Sequence, residues 1–440
     1  MDQSIRLLAK WSLRVYDLVI KGGRIIDQTG DRFADVAING SQIVEVGPNL
    51  DHTGAVVIDA SECVVGSGLV DLHTHLREPG KEDAETIESG SRAAVLGGFT
   101  ALVAMPNTDP TVDSAAVVQF VLDAGKRSLC DVQTSAAITV GRRGDELAPM
   151  AELAALGVRI FTDDGNGVQN DLMMRRAMEY ARDLDVTLAQ HCEIDSLSAG
   201  GQMHEGEWSS RLGIPGIPAE AEEVMIQRDL ALASLTGAKL HFQHLSTAGA
   251  VALLRDAKTR GLPVTAEATT HHFTLTHAEV ASFDPVFKVN PPLRTSTDVE
   301  AIRLGLADGT IDVIATDHAP HTQQDKEEPF DLAPPGMIGL ETALGLSLTE
   351  LDLPIERILA LLSWQPATIA GLSQSHGGPI VAGRAANICV FDPNAQWKVE
   401  ETGGASLSRN TPYRGRTLTG KVRHTIVFGE AVVIDSVAQR

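Results

Sequence analysis

The sequence contains little cysteine and no long apolar segment. It has four cysteines, which are far apart and form no Cys-x-x-Cys pair: Cys63, Cys130, Cys192 and Cys389. Such spacing is typical of buried thiols in a reducing cytoplasm rather than of a disulfide framework. No apolar stretch approaches the roughly 20 residues that a membrane-spanning helix needs. Met1 to Tyr16 lack the apolar core and cleavage site of a signal peptide, so we expect a cytoplasmic protein.

Basic side chains are scarce relative to acidic ones. The chain has 36 Lys and Arg against 58 Asp and Glu, which gives a formal net charge of -22. A strongly negative surface disfavours nucleic acid and anionic membranes as partners. It does not exclude an anionic substrate, because a few cations and a metal ion can dominate the potential inside one pocket.

The 440 residues, 43% of them hydrophobic, suit one large domain and a smaller one. Residues 15–57 read as short β-strands with tight turns, including the hairpin signal Asn39-Gly40. Strand patterns return near the end of the chain. We therefore predict a small composite β-domain built from residues 1–63 and 376–440, which flanks a large domain of residues 64–375.

The large domain alternates short apolar runs with segments of helical period. Eight runs precede or include Pro320: Val64–His75, Phe99–Asn107, Val132–Thr139, Val158–Asp164, Thr187–Glu193, Lys239–Ser246, Pro263–His272 and Asp312–Pro320. Helices are predicted between them at Glu85–Leu96, Ala115–Lys126, Glu146–Leu156, Asp171–Leu184, Ala221–Leu235 and Ala248–Arg260. This rhythm predicts an α/β fold of the (β/α)8 TIM-barrel type. A doubly wound open sheet is the structural alternative, although no Gly-x-Gly-x-x-Gly follows the first strand.

Six of the eight runs have histidine or aspartate at or near their ends, and five of them carry candidate ligands, whereas we interpret His271 and His272 of the seventh run as packing residues. The candidate ligands are His73 and His75, Asp163 and Asp164, His191, His244, and Asp317. Barrel enzymes carry their chemistry at the C-terminal strand ends, and burying unpaired polar groups costs a few kcal/mol each. Four imidazoles and two carboxylates suffice for one or two divalent ions, with zinc the first choice. Asp164 is placed to bridge two metals, and Asp317 to move a proton between a water and a leaving nitrogen.

Seven sequence motifs together resemble the amidohydrolase superfamily, and more narrowly the bacterial dihydroorotases of the type I, non-fused class. The resemblance extends from the first predicted strand to the C-terminal domain. The motifs are His73-Thr74-His75-Leu76-Arg77-Glu78-Pro79-Gly80, Met105-Pro106-Asn107-Thr108, Phe161-Thr162-Asp163-Asp164-Gly165, Gln190-His191-Cys192-Glu193, Asn290-Pro291-Pro292-Leu293-Arg294, Ala315-Thr316-Asp317-His318-Ala319-Pro320-His321 and Ile338-Gly339-Leu340-Glu341-Thr342.

The resemblance implies a metal-dependent cyclic amidase of pyrimidine biosynthesis that interconverts N-carbamoyl-L-aspartate and L-dihydroorotate. It implies zinc ligands at His73, His75, Asp164, His191, His244 and Asp317, with Asp317 as general acid and base. It implies substrate binding by His75, Arg77, Asn107, Asn290 and His321 and by the backbone at Pro335 and Gly336. It also admits a homodimer and a complex with aspartate transcarbamoylase.

Several alternatives stay open. Hydantoinases, allantoinases and some dihydroorotases bridge their metals with a carboxylated lysine, whereas this chain has no lysine between Lys126 and Lys239. Asp164 is the natural substitute and Asp163 its competitor, since strand alternation turns only one of them inward. A hydantoin, dihydropyrimidine or allantoin hydrolase is disfavoured by Arg77 and by the missing lysine. A non-catalytic scaffold for aspartate transcarbamoylase is disfavoured by the complete set of six ligands.

Overall fold

A computed structural model describes residues 16–400 and 404–439 of the chain. We predict no signal peptide in the segment Met1 to Tyr16. Of this segment, only Tyr16 is among the described residues. Among the helices in these two ranges, none combines the length and the apolarity that crossing a membrane requires. All four cysteines are buried and free, as their spacing predicts.

Short strands make up the first part of the chain, as predicted. They are β1 (Leu18–Lys21), β2 (Arg24–Asp27), β3 (Gly30–Phe33), β4 (Asp35–Asn39), β5 (Gln42–Gly47), β6 (Val56–Asp59) and β7 (Val64–Ser67). Strands β5, β4, β1 and β6 form a four-stranded sheet in that order. Its aliphatic side chains, such as Ile20, Ile38 and Ile58, bury one side of the sheet in a separate small core.

The first predicted run is not one strand. It divides at Gly68 into β7 and the next strand, which belong to different sheets. A Cβ atom at Gly68 would lie 2.3 Å from the side chain of Thr100, so only glycine lets the chain pass there. Periodicity did not predict the division, because both halves are apolar and fully buried.

The middle of the chain alternates strands and helices. The strands are β8 (Leu69–Thr74), β9 (Phe99–Ala104), β10 (Asp131–Thr134), β11 (Ile160–Thr162), β12 (Thr187–Gln190), β13 (Met203–His204), β14 (Gly216–Ile217), β15 (Leu240–Phe242), β16 (Val264–Thr269) and β17 (Val313–Ala315). The helices are α1 (Ile87–Leu96), α2 (Ala115–Gly125), α3 (Met150–Ala155), α4 (Asp171–Leu184), α5 (Asp195–Ser198), α6 (Glu207–Leu212), α7 (Glu220–Thr236), α8 (Ala248–Thr259), α9 (Ser296–Asp308), α10 (Gln323–Glu327), α11 (Ala343–Glu350), α12 (Ile355–Leu359) and α13 (Gln365–Ile369). Short 3-10 helices lie at Val140–Arg142, His277–Ser282 and Pro285–Phe287, and a π-helix at Ala360–Trp364.

All six predicted helices are present, and the predicted bounds of α4 match the observed ones. Local sequence explains why the helices begin where they do. Thr86 and Thr295 each form a capping box at the start of α1 and α9, and Asn170 caps α4 by accepting a hydrogen bond from the backbone of Met173. The buried positions of α4 follow a spacing of three and four residues, which turns one face toward the sheet.

The parallel strands form two sheets that meet at both edges. One sheet has the order β10-β9-β8 and the other β11-β12-β15-β16-β17. A parallel bridge between Ala136 and Phe161 joins β10 to β11, and another between Thr74 and His318 joins β8 to the chain after β17. The C-terminal ends of the eight strands therefore lie along one rim. The helices pack their apolar faces against the strands.

The last strands complete the sheet that the first strands begin. They are β18 (Ile388–Lys398), β19 (Thr417–Val427), β20 (Glu430–Ile434) and β21 (Val437–Ala438). Strand β18 pairs antiparallel with β7, which gives a seven-stranded sheet in the order β21-β20-β19-β18-β7-β2-β3. Both chain ends therefore share one sheet. Residues 404–416, between β18 and β19, leave this sheet and extend toward the rim of the parallel strands.

Candidate metal centre and active site

A cavity of about 180 Å³ lies at the rim formed by the parallel strand ends. Eleven of the twelve residues that the sequence singles out line it: His75, Arg77, Asn107, Asp164, His191, His244, Asn290, Asp317, His321, Pro335 and Gly336. The twelfth, His73, is fully buried directly beneath and contacts Asp164. The fold thus gathers the predicted residues from six strand ends and the following loops.

One histidine within β8, the histidine just after this strand and two carboxylates form the first group of potential ligands. Because side chains alternate along a strand, His73 and the following His75 face the same side, with ring centres 5.3 Å apart. Nε2 of His73 lies 3.3 Å from Oδ1 of Asp164 and 3.5 Å from Oδ1 of Asp317. Nε2 of His75 lies 3.0 Å from Oδ1 of Asp317 and 3.6 Å from Oδ2 of Asp164.

His191 and His244 form a second group on the other side of Asp164. Nδ1 of His191 lies 2.9 Å from Nε2 of His244. Oδ1 of Asp164 lies 3.8 Å from the first of these nitrogens and 3.6 Å from the second. Asp164 is therefore placed between both histidine pairs.

These residues fit a divalent metal ion. Nε2 of His73 is buried and has no hydrogen-bond partner among the described residues, so it needs another ligand to compensate for lost hydration. Ligands bound tetrahedrally at about 2.1 Å are about 3.4 Å from one another. The separations of 3.3–3.6 Å between the Asp164 oxygens and the Nε2 atoms of His73, His75 and His244 agree with that value, and Nδ1 of His191 lies slightly farther away at 3.8 Å. Within the part of the chain that the structure describes, two sets of residues have the required proximity, namely His73, Asp164 and His244, and His73, His75 and Asp317.

Hydrogen bonds behind the rings fix which nitrogen of each histidine faces the centre. Nδ1 of His73 donates to Oε1 of Glu267 at 2.6 Å, which leaves the lone pair of Nε2 for the centre. Nδ1 of His75 donates to Oδ1 of Asn107 at 2.8 Å. Sequence reasoning did not single out Glu267, although an acid within the buried strand β16 is an unusual signal. Asn107, predicted only to bind substrate, also orients a potential ligand.

The electrostatics keep the two central carboxylates ionised. Burial raises the pKa of Asp164, but the nearby imidazoles of His73 and His244 outweigh it and hold the pKa well below its ordinary value. Burial also raises the pKa of Asp317, but the neighbouring His73 and His75 outweigh this effect. The pKa of Asp317 is therefore lowered as well. A carboxylate must be deprotonated to bind a metal or to accept a proton from water, so both groups are in the required state.

Asp163 has a structural role in this arrangement. Its Oδ1 accepts hydrogen bonds from the backbone N–H groups of Ile138 and Thr139 at 2.9 and 3.0 Å, and its Oδ2 accepts the hydroxyl of Thr139. The carboxylate therefore joins β11 to the chain after β10 and points away from the histidines. Of the two neighbouring aspartates, only Asp164 lines the cavity.

Cationic and amide groups line the outer part of the cavity. Nε of Arg77 donates to the carbonyl of Pro320 at 3.0 Å, and its Nη2 lies 3.4 Å from Nε2 of His321. Burial lowers the pKa of Arg77 to about 10, so the side chain stays charged at neutral pH. Oδ1 of Asn290 is buried, and residues 16–400 and 404–439 offer it no hydrogen-bond partner. These groups provide a positive charge and an unused acceptor beside the potential metal ligands.

Three of the site residues have left-handed backbone conformations. The φ angles are +60° at Arg77, +32° at His244 and +45° at Asp317, where L-residues are rarely found. Each lies just after a parallel strand, at the point where the chain turns across the rim. Such conformations cluster at functional sites, because they redirect a side chain that regular strand geometry would aim elsewhere.

Two remaining histidines near the rim have structural partners. Nε2 of His318 lies 3.2 Å from Oε2 of Glu85, and its Nδ1 accepts a hydrogen bond from the backbone of Gly339. Nε2 of His272 donates to the carbonyl of Pro291 at 3.0 Å, and its Nδ1 lies 2.8 Å from the hydroxyl of Thr269. Neither side chain lines the cavity.

Comparisons with known proteins show which family this chain is similar to in sequence and which proteins it is similar to in fold. A family model described as Dihydro-orotase-like matches residues 63–250. The dihydroorotase of Pelotomaculum thermopropionicum is 48% identical over 427 residues, which is 96% of this chain and 99% of the relative. The dihydroorotase of Streptomyces coelicolor is 47% identical over 424 residues, covering 95% of this chain and 98% of the relative.

Among solved structures, the L-hydantoinase (dihydropyrimidinase) of Arthrobacter aurescens has a similar fold. The TM-score is 0.86 at 23% sequence identity, with 97% of this chain and 98% of the other covered. At that identity the likeness concerns the fold alone. The near-complete overlap with curated relatives at almost half identity is the stronger result, and it shows that the chain belongs to the dihydroorotase family.

Proposed function

We propose that this chain catalyses the reversible, metal-dependent hydrolysis of L-dihydroorotate to N-carbamoyl-L-aspartate, with ring closure as the direction used in de novo pyrimidine (UMP) biosynthesis. The observation that carries the proposal is the position of Asp164 between two histidine pairs, beside a cavity that contains Arg77. The family membership supplies the substrate class. A cytoplasmic location and the type I, non-fused class belong to the same proposal.

The architecture behind this proposal is one closed (β/α)8 barrel. Its support is the pair of parallel bridges that join the two parallel sheets at both edges. The similarity in fold to the hydantoinase is consistent with it. In a closed barrel all eight strand ends surround one mouth, which explains how ligands from distant parts of the chain reach one cavity.

Zinc is the proposed metal. His73, His75, Asp164 and Asp317 would hold one ion, and a second would lie at His191 and His244 with Asp164 as the bridge. Zinc bound at these residues would supply Lewis acidity, which would polarise an amide carbonyl and make a water more acidic. Imidazole and carboxylate groups are the ligands that such a hydrolytic zinc site uses.

Asp317 is the proposed proton carrier. Its ionised carboxylate takes a proton from the attacking water as the new C–O bond forms at the ring carbonyl. It then gives that proton to the ring nitrogen as the C–N bond breaks, so the carboxylate is regenerated in each cycle. Ring closure follows the same path in reverse.

Arg77 is the proposed partner of the substrate carboxylate. Its planar guanidinium suits bidentate binding of a carboxylate, and its charge offsets the acidic surroundings. His321 and Asn107 would complete this subsite, Asn290 would face the ring, and the backbone at 335–336 would cover it. Amide substrates that lack the carboxylate lose these contacts, so the same subsite sets the substrate preference.

A substrate panel tests the proposal. The zinc-loaded chain is assayed with L-dihydroorotate, dihydrouracil, hydantoin and allantoin at equal concentration. We expect kcat/KM for L-dihydroorotate to exceed the others by about 100-fold or more, because the analogues leave Arg77 unpaired. Faster turnover of hydantoin or dihydrouracil would contradict the proposal, and no turnover of any amide would favour a scaffold role.

The association state is a separate part of the proposal. The resemblance admits a homodimer and a complex with aspartate transcarbamoylase. Light scattering of the chain alone, and then after mixing with aspartate transcarbamoylase from the same source, distinguishes these cases. If this chain has the mass of a monomer both alone and in the mixture, both associations are contradicted.

A further inference from the structure

The loop after β17 approaches the cavity twice. It begins with Ala319 and His321, leaves toward α10, and returns at Pro335 and Gly336. All four residues line the cavity. Nε2 of His321 lies 2.8 Å from the carbonyl oxygen of Pro335, so the outgoing and returning segments touch beside the site.

Asn410 connects these two segments through its side chain. Its Nδ2 donates to the carbonyl oxygens of Ala319 at 2.9 Å and Gly336 at 3.1 Å. Its Oδ1 accepts the backbone N–H of His321 at 3.3 Å. Its own carbonyl accepts the backbone N–H of Ile338 at 3.2 Å. The residue is 3% exposed. The backbone groups of Ala319, Gly336 and His321 use both amide hydrogens and the oxygen of its side chain.

The segment that carries Asn410 is held from the other side. Oγ of Ser406 and the backbone N–H of Leu407 both donate to the carboxylate of Glu85, and Oγ of Ser408 donates to the carbonyl of Ala84. Glu85 also contacts His318, which directly follows Asp317. Residues 406–410 are thus fixed to the start of α1, which gives Asn410 a rigid position from which to hold the loop.

We infer that Asn410 is a positioning residue for substrate binding. It does not line the cavity, yet it sets the distance between the segment of His321 and the segment of Gly336. The inference rests on the proposed function: the spacing between the two segments places both of them against the carboxylate end of L-dihydroorotate. An asparagine is required because the position needs one acceptor and two donor hydrogens, whereas an aspartate would direct a carboxylate oxygen at two carbonyl oxygens.

Asn387 offers a matched control in the same C-terminal part of the chain. It is also buried, donates from Nδ2 to the carbonyl of Ser375 at 2.9 Å and accepts the backbone N–H of Phe428 at 2.7 Å. It therefore joins distant segments as Asn410 does, but away from the cavity. Asn387→Asp removes the same kind of donor without reaching the loop after β17.

The experiment compares the parent chain with Asn410→Asp and Asn387→Asp. Steady-state kinetics with L-dihydroorotate and hydrogen exchange of the backbone amides at 319–339 are measured on the full, zinc-loaded chain. We expect Asn410→Asp to raise KM about 10- to 100-fold with a smaller change in kcat, and to lose amide protection in the loop. We expect Asn387→Asp to lower the melting temperature while KM and loop protection stay unchanged. If Asn410→Asp does not fold, Asn410→Ser replaces it.

Two results would overturn the inference. One is a KM for Asn410→Asp within about twofold of the parent value. The other is an equal rise in KM for Asn387→Asp, which would show a general effect of lost stability. A parent chain that does not hydrolyse L-dihydroorotate refutes the proposed function instead. In that case, unchanged amide protection of residues 319–339 in Asn410→Asp overturns the role of Asn410 as well. Lost amide protection supports the role of Asn410 in positioning the loop.

Discussion

Oδ1 of Asp317 lies 3.0 Å from Nε2 of His75. The same oxygen lies 3.5 Å from Nε2 of His73, so one carboxylate faces both imidazoles. It is buried, and its pKa is lowered because the two imidazoles outweigh the effect of burial. This position beside the proposed metal ligands and the cavity is what a proton carrier at a hydrolytic centre requires.

Replacing Asp317 tests that role. Asp317→Asn keeps the shape of the side chain but removes its ability to accept a proton. We expect kcat for L-dihydroorotate to fall by about 10²- to 10⁴-fold, with most of the metal and the melting temperature retained. Stopped assays, elemental analysis and thermal unfolding measure the three quantities. Asp352→Asn at an exposed position is the control, and substantial residual activity in Asp317→Asn would reject the assignment.

Arg77 is expected to act on binding rather than on chemistry. Arg77→Ala removes a charged partner of the substrate carboxylate, a loss of about 2 kcal/mol that corresponds to about 30-fold in KM. The exposed Arg260, which pairs with Asp256 on α8, provides the control Arg260→Ala. Kinetic constants of Arg77→Ala equal to those of the control would show that the carboxylate binds elsewhere.

The neighbouring aspartates Asp163 and Asp164 are expected to respond differently. Asp164→Asn removes the carboxylate between the histidine pairs, so metal content after dialysis should fall. Asp163→Asn should keep its metal but lower the free energy of unfolding by about 1–3 kcal/mol, since it weakens bonds to Ile138 and Thr139. Elemental analysis and urea unfolding on both variants measure this. Equal metal loss in the two variants would contradict the assignment of Asp164.

Glu267 is expected to tune metal affinity without contacting the metal. Its carboxylate receives Nδ1–H of His73 and Nε2–H of His241. Burial opposes ionisation, but the charge of His73 and the bonds from His241 and His73 lower the pKa of Glu267 to about 2. We expect Glu267→Gln to weaken zinc binding by about 10- to 100-fold in a chelator competition. Glu350→Gln, which loses bonds to Arg303 and Arg416 instead, should leave zinc affinity unchanged.

Much of this organisation follows from sequence periodicity. The bounds of α4 and the order of strands and helices are predictable because apolar spacing at periods of two and 3.6 is a local property. The candidate ligands could be picked out because histidine and aspartate recur at the ends of several runs, although His272, His318 and Asp163 at such ends have structural partners. Gly68 is an exception: the break between β7 and β8 depends on Thr100, a contact that no local pattern contains.

The residues that support the ligands were beyond sequence reasoning for the same reason. Glu267 contacts His73 across 194 positions of sequence, and Asn410 contacts Gly336 across 74. Such contacts arise from tertiary packing, and an asparagine in a loop carries no periodic signal. Alternation shows only that one of Asp163 and Asp164 faces inward, and it was the family resemblance that favoured Asp164.

The most direct test of the account is the metal content of the purified chain, measured by elemental analysis on the same sample that is assayed with L-dihydroorotate. The account predicts about two zinc ions per chain, loss of turnover on chelation and its return on adding zinc. About one zinc ion with full turnover would keep the reaction and contradict the bridge at Asp164. Undiminished turnover after complete removal of metal would contradict the account as a whole.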